Sequence, residues 1–77
     1  MSEADRVRWH CRRGLLELDL ILDRFLERHY EGLDEDARAT FREILERPDN
    51  DLLDWALGRR APREARYQRL VELLRSL

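Results

Sequence analysis

The sequence predicts an all-α fold: a compact antiparallel bundle of about five short helices in a single domain, residues 1–77. Three observations carry this reading. Apolar residues recur at three- and four-residue spacing in successive stretches. Glycine and proline fall between those stretches rather than inside them. β-Branched residues are few and no run alternates with period two, so no strand competes.

Each element has its own signal. Ala4, Val7 and Cys11 share one face of a first helix from about Glu3 to Arg13, with Ser2 as N-cap. Gly14, with no Cβ to clash at positive φ, is expected to stop it. Leu18, Ile21, Leu22, Phe25 and Leu26 form the stripe of a second helix that ends near Tyr30, ahead of Gly32. Asp34 caps a third helix, whose first turn holds Glu35 and Asp36 and whose buried face is Ala37, Phe41, Ile44 and Leu45. Pro48 closes that helix, and Asp49 is expected to cap a fourth carrying Leu52, Leu53, Trp55, Ala56 and Leu57, with Gly58 at C′. Arg59-Arg60-Ala61 then leads to a last helix expected to start at Pro62, with Leu70, Val71, Leu73, Leu74 and Leu77 as its stripe.

Size and composition restrict function. A chain of 77 residues buries only about 60% of its unfolded surface, and an enclosed ligand pocket of some 300 Å³ or more would consume much of that core. Surface binding suits it better. All 15 basic residues are arginine, which removes the lysine of a P-loop and any Schiff-base chemistry. Ser2 and Ser76 lie at the chain ends and Thr40 stands alone on a helix, so no triad has a nucleophile. Cys11 belongs to an apolar face, and Cys11, His10 and His29 lack the paired spacing of a zinc site. Gly14, Gly32 and Gly58 are scattered and build no phosphate-cradling loop, so the chain shows no nucleotide-binding signature. Met1 to Arg13 is charged throughout, unlike a signal peptide, and no apolar run approaches the ~20 residues of a membrane span. One cysteine permits no internal disulfide, which fits a reducing compartment such as the bacterial cytoplasm.

Charge is unevenly spread. Residues 31–54 carry three arginines against nine acids, and residues 55–77 carry six against two. Arg59, Arg60, Arg63, Arg66 and Arg69 therefore allow an alternative reading, a small nucleic-acid-binding or antitoxin-like regulator. The acidic middle and a net charge of −2 oppose the one-sided basic footprint of a phosphate binder, so no nucleic acid is expected as partner.

The segment from Trp9 to Asp19 packs fixed charges of both signs around a glycine between two helical patterns. Arg12 and Arg13 suit the negative end of the first helix, and Glu17 suits the positive end of the next. Trp55 sits amid Leu52, Leu53 and Ala56 and reads as core, whereas Trp9 is expected to straddle core and displayed surface.

Arg13-Gly14-Leu15-Leu16-Glu17 is similar to the RGxxE motif of the small helical FAD assembly factors of bacteria and the mitochondrial succinate dehydrogenase assembly factor 2. Trp9, Cys11-Arg12, Leu18-Asp19, Pro48-Asp49, Leu53-Asp54-Trp55 and Gly58 extend the resemblance over roughly residues 6–62. The resemblance implies a non-enzymatic chaperone that binds the flavoprotein subunit of succinate dehydrogenase, with fumarate reductase as a second candidate client; separately from the resemblance, the free chain is expected to be a monomer. Covalent attachment of FAD to a histidine of that subunit would then be promoted, with FAD belonging to the partner and no cofactor bound stably by this chain. Trp9, Arg12, Arg13, Gly14, Glu17 and Asp19 would form the partner-binding surface. Arg13 and Glu17 would supply charge-assisted hydrogen bonds, and Gly14 would allow close backbone approach.

Overall fold

Ser2 starts the chain's first helix through a reciprocal pair of bonds: its Oγ accepts from the Asp5 N–H at 3.2 Å, and its own N–H donates to the Asp5 carboxylate. The computed structural model describes residues 2–77. Helix α1 (Glu3–His10) ends at His10, short of the expected Arg13. Cys11 is the C-cap, and its N–H bonds back to the Val7 and Arg8 carbonyls. That tightened last turn puts Arg12 and Arg13 in the connection that follows. Gly14 does adopt a left-handed φ of +81°, yet it is a pivot inside this connection rather than the residue that stops the helix.

Helix α2 (Leu16–Arg28) buries Leu18, Leu22, Phe25 and Leu26, as the spacing predicts. A 3₁₀ turn, Tyr30–Gly32, then carries Tyr30 into the core. Helix α3 (Glu35–Ile44) is capped by the Asp34 carboxylate, which accepts from the Ala37 N–H at 2.8 Å. Its Phe41 and Ile44 are fully buried, with Leu45 beside them.

Helix α4 (Asp49–Ala56) departs from expectation at its start. Pro48 holds the N-cap position, its carbonyl accepting from the Asp51 and Leu52 N–H groups, and Asp49 is already helical. The Asp49 carboxylate is thereby free to turn elsewhere. The helix ends as expected: Gly58 has a φ of +78°, Arg59 N–H reaches Asp54 O at 2.8 Å, and Gly58 N–H reaches Trp55 O at 3.2 Å, the two bonds of a Schellman motif. Leu57, grouped with the apolar residues of this helix, is its C-cap and lies exposed.

Helix α5 (Ala65–Arg75) begins after Pro62, not at it. Pro62 is buried in the linker and its carbonyl accepts from Gln68 Nε2 at 2.9 Å, while Glu64 is the residue whose carbonyl takes the first helical N–H groups. Tyr67, Leu70, Val71 and Leu74 face inward.

All five helices contribute to one buried cluster. Phe25 and Phe41 stack at its centre with ring centroids 4.6 Å apart, and Tyr30 leans on Phe41 at 5.8 Å. Trp55 is core as expected and meets Tyr67 edge-on. Helix α5 packs against α2, α3 and α4, and no strand occurs among the described residues. The radius of gyration, 11.4 Å, matches the roughly 11.5 Å expected of a closely packed chain of this length. Because Phe41 is fully buried and in ring contact with two aromatics, Phe41→Ala is expected to cost about 3–5 kcal/mol. That is a large share of a small domain's stability, and urea denaturation followed by circular dichroism measures it.

Candidate partner-binding site

The connection between α1 and α2 is held from both ends. Val7 and Cys11 anchor it to the core, and Leu18 anchors the first turn of α2, each with 3% exposure or less. Burial pushes the Cys11 thiol up to about 12 from its ordinary value, with the nearby Asp23 charge adding to the rise, so it stays protonated at neutral pH. A neutral, enclosed thiol is structural, as its place on the apolar face predicts.

Arg13 is the most engaged side chain of the corner. Its Nε donates to Asp49 Oδ1 at 2.7 Å, its two terminal nitrogens donate to the His10 carbonyl at 2.9 Å and the Arg47 carbonyl at 2.8 Å. Its backbone N–H donates to Asp19 Oδ1 at 2.8 Å. The His10 carbonyl belongs to the last turn of α1, so Arg13 does serve the negative end of that helix, by folding back upon it. Only 14% of its side chain is exposed. Arg13 and Asp19, expected on the displayed surface, are both engaged internally in the folded chain.

What the corner displays is a different subset. Trp9 is 67% exposed and so does not straddle the core. Leu16 is 77% exposed and Leu20, one turn along the same face of α2, is 52% exposed. Arg12 and Glu17 are exposed, and their side chains have no hydrogen-bond or ion-pair partner among the described residues. Trp9, His10, Arg12, Arg13 and Asp49 line a shallow open depression, which brings Trp9 and Arg12 beside the clamped Arg13. Gly14 lies on the surface, and a Cβ built there would meet nothing within 4 Å. Its glycine requirement within the fold therefore comes from φ alone.

Leu16, Leu20 and Asp49 escaped the sequence reading. The two leucines had a legible signal, since they share a helix face yet fall off the core stripe of α2. Asp49 had none, because its partner lies 36 residues away in the chain. No group of three or more His, Cys, Asp or Glu side chains is placed to hold a metal ion among the described residues, and no helix there is long and apolar enough to cross a membrane.

Fold and corner together define a small all-α domain that presents one charged and apolar surface at a helix junction. Residues 5–77 match the family described as flavinator of succinate dehydrogenase. The FAD assembly factor SdhE of Coxiella burnetii is 36% identical over 74 residues, covering 96% of this chain and 90% of that protein. That of Pseudomonas aeruginosa is 41% identical over 73 residues, covering 95% and 87%, and that of Idiomarina loihiensis is 35% identical over 75 residues, covering 97% and 80%. The chain belongs to this family of succinate dehydrogenase flavinators.

Two outcomes follow from the corner's geometry. Gly14→Ala is expected to lower stability by about 1–2 kcal/mol, seen as a lower melting temperature, since the strain is conformational and no neighbour is displaced. The folded Cys11 thiol holds its proton to higher pH than the unfolded one, so its contribution to stability is full below about pH 9 and is lost as pH rises toward about 12. Urea melts across that range are expected to show a shallower decline in Cys11→Ala.

Proposed function

We propose that this chain docks the flavoprotein subunit of succinate dehydrogenase and promotes the covalent attachment of FAD to it, acting as an assembly factor and not as an enzyme. The observation that carries this reading is the α1–α2 corner, where Trp9, Leu16 and Leu20 stand exposed beside unpartnered Arg12 and Glu17. Exposed apolar side chains flanked by unpaired charges are the makings of a protein interface, in which aromatic and arginine anchors carry much of the binding energy. Each Å² of apolar surface covered on docking contributes roughly 25 cal/mol before the costs of association.

The roles divide accordingly. Glu17 accepts, and Arg12 donates, charge-assisted hydrogen bonds across the interface. Gly14 leaves open space above its Cα, so a partner's backbone can approach closely. Holding the partner in a conformation that aligns flavin and acceptor histidine requires a complementary surface and no nucleophile in this chain. FAD belongs to the partner throughout. Fumarate reductase is a second client, and the free factor is a monomer of the bacterial cytoplasm.

The basic C-terminal region supports a protein partner over a phosphate backbone. Arg60 pairs with Asp51 and Asp54, Arg59 with Asp54, and Arg66 with Glu43. The hydrogen bond from Arg60 holds the Asp51 carboxyl below its usual range. Of the five arginines that suggested nucleic acid, only Arg63 and Arg69 have no acidic partner among the described residues.

Glu17→Ala tests the reading. The variant is expected to keep its helical circular dichroism and to flavinylate the apo flavoprotein subunit about tenfold more slowly at limiting factor, by in-gel flavin fluorescence under denaturing conditions. A wild-type rate would remove Glu17 from the interface. Steep, salt-sensitive binding to DNA or RNA by the wild-type chain would favour the regulator instead.

A further inference from the structure

We infer that Asp49 is a positioning residue, which acts through Arg13 to set the orientation in which Arg12, Gly14 and Glu17 are presented to the partner. This rests on the docking reading above and adds to it a residue on a distant element.

Four bonds converge on Arg13, and each goes to a different piece of structure. The His10 carbonyl closes α1, the Asp19 carboxylate lies in the first turn of α2, the Arg47 carbonyl lies in the loop after α3, and Asp49 opens α4. Three of the five guanidinium N–H donors are thus committed within the chain. Swinging the guanidinium out to a partner would break all three bonds at once. Arg13 is largely enclosed, with 14% of its side chain exposed, and Asp49 is half-buried at 34%, so their charge-assisted bond is screened less than one between fully exposed groups. Asp49 is itself favoured where it stands, since its carboxylate occupies the first turn of α4.

The lock matters because of the residue beside it. Gly14 has the broadest backbone freedom of any residue type, and its φ of +81° is one of several conformations open to it. With Arg13 released, the connection from Arg12 to Leu15 would pivot about that glycine and the corner would have to be ordered at the moment of docking. With Arg13 held by Asp49, that ordering is complete in the free protein, and preorganisation strengthens binding. Segments of sequence 36 residues apart thereby form one physical unit.

The test measures covalent flavin on the apo flavoprotein subunit, with FAD in excess, against the concentration of full-length factor. Asp49→Ala is expected to raise the half-saturating concentration at least about tenfold, the factor set by one hydrogen bond to a charged group, while the rate at saturation is kept. Asp49→Asn, which keeps an acceptor oxygen, is expected to recover part of the loss. Combining Asp49→Ala with Arg13→Ala is expected to do no more than Arg13→Ala alone. Amide exchange at Gly14 and Leu15 is expected to quicken in Asp49→Ala with the α2 and α3 core amides unchanged, a local signature that general destabilisation would not give. Should Asp49→Ala fail to fold, Asp49→Asn carries the same reading of half-saturation and exchange. Wild-type half-saturation in Asp49→Ala, with Glu17→Ala impaired, overturns the positioning role and leaves the docking surface standing. Wild-type behaviour in both overturns the docking surface itself. A double variant markedly worse than Arg13→Ala shows that Asp49 acts by a route other than Arg13, which also overturns the inference.

Discussion

Phe25 and Phe41 stack with ring centroids 4.6 Å apart, and the buried residues of every helix gather around that contact: Val7 of α1, Leu22 of α2, Ile44 of α3, Leu52 of α4 and Val71 of α5. In so short a chain the core is a single cluster, so the helices that frame the surface corner have no independent support. The junction of α1 and α2 is built upon it through Val7, Cys11 and Leu18, each nearly inaccessible. Display at the surface and packing beneath it are parts of one arrangement.

Short helices multiply ends, and ends leave carbonyls without partners. This chain answers repeatedly with arginine. Arg13 donates to the His10 and Arg47 carbonyls, Arg38 to those of Tyr30 and Glu31, and Arg75 to those of Trp55 and Arg60. A planar fork can bridge two carbonyls that lie on different elements, whereas an ammonium is a compact point charge with no fixed spread. The absence of lysine thus has a structural counterpart in how loops are tied to helix ends.

What the sequence made legible was local. The Ser2 and Asp34 caps, the left-handed Gly14 and Gly58, and the stripes of α2 and α5 each depend on residues within a few positions of one another. The misreadings share the opposite property. Asp49 was expected to cap its own helix because capping is the local use of an aspartate after proline, and a guanidinium from the N-terminal corner claimed it instead. Pro62 was expected to open α5, and a side-chain bond from Gln68 with burial of its ring keeps it in the linker. At the candidate site, the motif's place at a helix junction could be read. Which of its charges face inward could not, because that is decided by α4 and the loop before it.

Cys11 has a consequence for the setting in which such a chain works. Its sulfur is the only one among the described residues, it is 1% exposed, and it remains a thiol far above neutral pH. Oxidised flavins accept electrons from thiolates, and a surface thiolate held against a flavoprotein being assembled would compete for that chemistry. The described surface offers a bound partner no sulfur nucleophile, because the chain's one cysteine is enclosed in the core.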